Sequence, residues 1–110
     1  MKNKIIAFTL LIMLSFNINV FARTFPTVNN IKPDKIWTIT FNKDIETIRM
    51  NIADKNNIFV PCMVYIKDNK VTVVPFVNYK EGEYTLNIES VAAKDGSTLN
   101  ETVDMKFIVE

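Results

Sequence analysis

An all-β, antiparallel sandwich of about seven strands is the fold this sequence predicts, on three observations. Several short segments alternate apolar and polar residues with a period of two, turn residues recur between them, and no run is long enough for an amphipathic helix. The stretch 71–88, VTVVPFVNYKEGEYTLNI, concentrates the signal. Val71 and Val73 lead to Pro75, and Gly82 then turns the chain. From there Tyr84, Leu86 and Ile88 alternate with Thr85, Asn87 and Glu89, which puts one face on a core and the other in water.

The first 22 residues are expected to stay outside that domain. Lys2 and Lys4 precede an apolar run over 5–16, and Val20-Phe21-Ala22 supplies small residues where a signal peptidase cuts. This is the pattern of a secretory signal peptide cleaved after Ala22. The run is shorter than the roughly 20 residues of a spanning helix, so the membrane is expected to be met only before cleavage. Residues 23–110 form the predicted domain, secreted or held at the cell envelope.

Within it, 24–31 reads as a short first strand and Pro33-Asp34 as a turn. In 36–41, Trp37, Ile39 and Phe41 face one way and Thr38 and Thr40 the other, a β-branched and aromatic strand. Ile45, Ile48, Met50 and Ile52 fit neither period; a helical turn over 45–48 followed by a strand over 49–53 is expected. After a turn at 54–57, 58–66 reads as a long apolar strand interrupted by Pro61, which cannot donate to a ladder and implies an edge or a bulge. Asp68-Asn69 makes a tight hairpin into 70–75, since both residues tolerate a positive φ. Asp95-Gly96 turns the chain again. In the last strand, 102–109, Val103, Met105, Phe107 and Val109 point inward.

Composition excludes several functions. Lys2 and Lys4 are two of the 13 basic residues, so 23–110 carries 11 basic against 12 acidic residues, a net charge of −1. That balance offers no footprint for nucleic acid. Histidine is absent, which removes the commonest general base and metal ligand. Ser90 and Ser97 lack a nucleophile-elbow setting, and Cys62 has no histidine to activate it. The carboxylate pairs Asp44–Glu46 and Glu81–Glu83 read as solvated turn charges. Asp34, Asp44, Asp54, Asp68 and Asp95 lie near separate turns without forming a dense acidic loop, so no metal site and no cofactor are expected. No enzyme is predicted. Cys62 is the single cysteine; it is either a small buried hydrophobe or the partner in an interchain disulfide.

Trp37-Thr-Ile-Thr-Phe41-Asn42-Lys43, Val60-Pro61 through Val71-Thr-Val73-Val-Pro75, Tyr79-Lys-Glu-Gly82-Glu-Tyr84-Thr-Leu86, and Asp95-Gly96-Ser-Thr-Leu99 with Met105-Lys-Phe107 follow one another in order. Together they resemble the bacterial Ig-like domains of S-layer and other surface proteins. The segment 44–57 matches least. The resemblance implies an Ig-like antiparallel β-sandwich serving as an extracellular spacer or adhesion module without catalysis. In such folds a tyrosine after a corner bonds back to upstream backbone, which assigns Gly82 and Tyr84 a structural role.

For the site, Phe59, Met63 and Tyr65 lie on the face opposite Val60, Cys62, Val64 and Ile66. With the second set in the core, the first forms an apolar patch on the outside of a strand, a candidate surface for a protein partner or a second copy. The alternative is a cell-wall or carbohydrate-binding module with Phe76, Tyr79 and Tyr65 as stacking platforms. A peptidase inhibitor on the same scaffold ranks last: such inhibitors use an N-P-T-T-G loop and a glycine-rich loop, and only Gly82 and Gly96 are present.

Overall fold

The computed structural model describes residues 22–99 and 102–110, which form eight strands and no helix. These are β1 (Ala22–Ile31), β2 (Trp37–Thr40), β3 (Ile45–Asp54), β4 (Cys62–Lys67), β5 (Lys70–Pro75), β6 (Gly82–Ala93), β7 (Thr98–Leu99) and β8 (Thr102–Val109). The expected leader, 1–22, lies outside the described residues except for Ala22, where β1 begins.

Two sheets pack face to face. One has the order β1-β8-β6-β3, with the short β7 on β6; the other has the order β2-β5-β4. The second, fifth and fourth strands thus face the third, sixth and last, which is the immunoglobulin constant-type arrangement. The first strand departs from it. It joins the edge of β8 in parallel, so the sandwich is not antiparallel throughout as expected. Between β1 and β2, the turn closed by Lys35 N–H donating to the Lys32 carbonyl carries the chain to the other sheet, so the two strands never form a hairpin. Pro26 falls where the β1–β8 register slips between Phe25 and Val28, the bulge a proline requires in a ladder.

The region 45–54 corrects the expectation of a helical turn: β3 is one continuous strand. Ile45 pairs with Ala93 and Thr47 with Ala92, so Glu46 is an extra, bulged residue. The bulge moves the inward phase by one position, from Ile45 to Ile48, Met50 and Ile52, and an alternation broken in this way imitates neither a strand nor a helix. Across from it, the slip between Arg49 and Met50 makes Glu89 extra on β6, and the buried set there changes from Tyr84, Leu86 and Ile88 to Val91 and Ala93.

The core is filled from both sheets. Trp37, Ile39 and Phe41 meet Leu86, Ile88, Met105 and Phe107, all essentially inaccessible to solvent. Phe107 is the centre of an aromatic cluster, with its ring centroid 4.9 Å from Trp37, 5.3 Å from Tyr79 and 5.4 Å from Tyr84. The chain crosses between the sheets at the β5–β6 corner. There Gly82 takes a φ of 148°, a conformation other residues rarely adopt, and the Tyr84 hydroxyl donates to the Lys80 carbonyl at 2.7 Å.

Candidate interaction surface

The expected strand 58–66 divides at Pro61. Before it, the chain still follows β3: Phe59 bridges Ala53, and Val60 N–H donates to the Ile52 carbonyl at 2.7 Å. Asp54 shapes this turn by accepting from the Asn56 and Ile58 amides, with Asn57 at a φ of 63°. After Pro61 the chain changes sheets and becomes β4, the outer strand of the smaller sheet. Asp68-Asn69 then closes a two-residue hairpin in which Lys67 pairs with Lys70 and Asp68 has a φ of 55°.

The direction of each backbone group on β4 follows from one bond. Phe76 N–H donates to the Pro61 carbonyl, and Pro61 and Phe76 continue the register in which Cys62 pairs with Pro75. In an antiparallel ladder, alternate residues address the same neighbour. Met63, Tyr65 and Lys67 therefore turn their N–H and C=O groups toward β5, while those of Cys62, Val64 and Ile66 point to the open edge. Pro61 lacks its donor on the β5 side, so it does not block that edge.

Side chains leave the same strand uncovered on both faces. Met63 and Tyr65 project outward, with the Tyr65 hydroxyl donating to Met63 Sδ at 3.2 Å. Val64 and Ile66, expected in the core, are 41% and 38% exposed. They do face inward, opposite the buried Val73 and Val71, at the rim of the sandwich where β4 and β3 are the end strands of their sheets. From Cys62 to Ile66 no residue carries a charge, unlike the edge strands of proteins that resist pairing.

The expected patch of Phe59, Met63 and Tyr65 is thereby split. Phe59 is 67% exposed and sits apart from Met63 and Tyr65: opposite Ala53, it lies between a groove of about 190 Å³, lined also by Met50, Ile52, Val60, Cys62 and Val64, and the outer side of the larger sheet. The groove is smaller than typical small-molecule sites, which start near ~300 Å³. Cys62 is half-buried at its rim; its thiol donates to the Val60 carbonyl at 3.3 Å, and burial raises its pKa, which keeps it protonated and unreactive.

The stacking surface proposed for carbohydrate loses a member. Tyr79 is 4% exposed and packs on Tyr84 and Phe107, because its N–H donates to the Pro33 carbonyl at 2.8 Å and draws the loop onto the core. Burial pushes its phenol well above the ordinary range. The Trp37 indole N–H nearby opposes that rise, yet the two groups do not align as a hydrogen bond. Phe76 remains exposed beside Val77.

A second hollow, about 330 Å³, lies over the outer face of the larger sheet, where Asn51, Asn87 and Asp104 are cross-strand neighbours. Its polar groups satisfy one another: Asn87 Nδ2 donates to Asn51 Oδ1, Asn51 Nδ2 to Glu89 Oε2, and Thr24 Oγ1 to Asp104 Oδ1. Of the turn carboxylates, Glu83 sits 3.5 Å from Lys106, and Asp95 holds Lys43 at 3.0 Å. Hydrogen bonds from the Ser97 hydroxyl and amide, then Lys43, hold the Asp95 carboxyl well below the usual range. Among the described residues, no three acidic or cysteine side chains are gathered as a metal site. No protein-family model matches the chain, and no curated protein matches it in sequence.

Proposed function

We propose that the protein is an exported, non-enzymatic Ig-like module of the cell surface or extracellular space, and that it binds another protein chain along β4. The observation that carries this reading is a strand whose backbone is unpaired on one side and whose uncharged side chains are exposed on both faces. An extended partner segment adding to such an edge gains main-chain hydrogen bonds from Cys62, Val64 and Ile66, and side-chain contacts above and below the sheet. The charged, then apolar, then small-residue pattern of 1–22 supports export, and the absence of histidine or any activated nucleophile supports a binding role. With Tyr79 buried, the carbohydrate reading retains only Phe76 and Tyr65, which lie on different strands' ends, and ranks second.

Position-specific photocrosslinking in living cells tests the proposal. A photoreactive residue replacing Tyr65 is expected to form discrete protein adducts, whereas the same group at Thr27, exposed on the far edge strand β1, is expected to form none. Equal labelling at both positions, or none at Tyr65, contradicts the assignment.

A further inference from the structure

We infer that the chain that adds to β4 is the β4 of a second copy, antiparallel across a two-fold axis that passes beside Val64 and stands perpendicular to the smaller sheet. This rests on β4 being the interaction edge and goes on to specify partner and register.

Symmetry limits the registers. A perpendicular two-fold keeps each face of the sheet on its own side, and residues opposite one another share a face. A residue on the inner side of β4 can therefore meet only an inner residue of the second copy, so the axis must pass beside one residue rather than between two. Three centres are available. An axis at Met63 would set Ile66 of the second copy against Val60, whose N–H is already given to the Ile52 carbonyl. An axis at Tyr65 would set Cys62 against Asp68 of the second copy, which has left strand geometry at a φ of 55°. An axis at Val64 uses each outward-facing residue: Cys62 meets Ile66, Val64 meets Val64, and Ile66 meets Cys62, for about six backbone hydrogen bonds.

Side chains agree with that centre. Met63 falls against Tyr65 on the outer face, an apolar pair repeated by symmetry. Lys67 falls against Pro61 rather than another lysine, so no like charges meet. On the inner face, Ile66 of the second copy comes to lie beside Cys62 at the mouth of the 190 Å³ groove lined by Met50, Ile52, Phe59 and Val60. Each copy thus supplies an isoleucine and receives one, the reciprocity a two-fold interface demands. The two Cys62 residues end four positions apart along the ladder, roughly 13 Å, too far for a disulfide. The dimer is therefore non-covalent, and its contact through a single short strand per copy places it at the small end of interfaces, below about 1,200 Å² and so concentration-dependent.

Cysteine pairing reads the register directly. In a Cys62→Ser background, purified Met63→Cys and Tyr65→Cys proteins are oxidised with diamide separately and as an equal mixture, then run on non-reducing gels. The inference predicts a disulfide dimer from the mixture, since the two positions face each other at about 4.5 Å between Cα atoms, and almost none from either protein alone. Sedimentation of the unaltered protein is expected to show monomer passing to dimer between about 1 μM and about 1 mM, and Val64→Lys to weaken that association at least tenfold with an unchanged circular dichroism spectrum. Pairing of Tyr65→Cys with itself overturns the register. A monomer at every concentration with no mixed disulfide overturns the second copy; adducts from Tyr65 to a different protein in cells would then leave the β4 edge standing as a binding surface, and their absence would remove both.

Discussion

Phe107→Ala is expected to destabilise the protein by about 3–5 kcal/mol, measured as a shift in the denaturant midpoint at unchanged slope. Phe107 sits on β8, between β1 and β6, and has no exposed surface. Its ring is stacked on Tyr84 at an interplanar angle of 15° and meets Trp37 and Tyr79 at tilted and edge-on angles. Those three rings come from β2, β6 and the corner between the sheets, so truncation opens a void that no single side chain can fill by changing rotamer. A domain of this size is held by about 5–10 kcal/mol, so the variant should be largely unfolded at modest denaturant. Ile108→Ala, one residue along and on the opposite face, is the control and should cost under about 1.5 kcal/mol. Similar losses at both positions would contradict the assignment of the core face.

Lys35→Met is expected to stabilise the protein near neutral pH by about 1–2 kcal/mol and to remove a pH dependence at the same time. Lys35 is 8% exposed, with its ammonium 5.0 Å from the centre of the Trp37 ring. Desolvation by burial brings its pKa down from 10.5 to about 8. An unfolded lysine keeps its proton up to about 10.5, so between those two values the unfolded chain binds more protons and stability rises with pH. Below about pH 8 the folded state carries the cost of holding a desolvated charge, which contact with the Trp37 face reduces. The window is best read between pH 7 and about 9.5, because the raised phenols of Tyr79 and Tyr84 make stability fall again once unfolded tyrosine begins to ionise near pH 10. Chemical denaturation at both ends, in a Cys62→Ser background that removes the opposite contribution of the raised thiol, should show the Lys35 protein gaining and the methionine variant flat. Parallel profiles would place the ammonium in water.

Much of the fold was legible because most strands keep an unbroken phase. β2 and β8 read correctly from Trp37-Ile39-Phe41 and Val103-Met105-Phe107-Val109, where alternate residues meet a sheet on one side only. The hairpin at Asp68-Asn69 and the corner at Gly82 announce themselves through residues that accept positive φ. β3 was obscured by one bulged residue, Glu46, since an insertion that shifts phase erases the period by which a strand is recognised. The parallel placement of β1 has no local signal at all; it depends on which edge is free once the other strands have paired.

The site was half legible for a related reason. Alternation correctly separated Met63 and Tyr65 from Val64 and Ile66, but it tells only which way a side chain points. How much of it the facing sheet covers depends on where the strand sits in its own sheet, and β4 is an end strand. Phe59 is separated from Met63 and Tyr65 because Pro61 interrupts the strand between them: before it the chain pairs with β3, after it with β5. Tyr79 looked like a loop aromatic, and a single backbone bond to Pro33, 46 residues away in sequence, is what draws it inside.

Everything functional rests on β4 being open on the side away from β5. Amide hydrogen exchange on the dilute protein reads this residue by residue, since protection requires a partner for each N–H. The amides of Cys62, Val64 and Ile66 should exchange quickly, and those of Met63, Tyr65 and Lys67 slowly, in strict alternation along one strand. Slow exchange at all six positions would mean that the edge is already occupied, and the binding surface assigned to it would not exist.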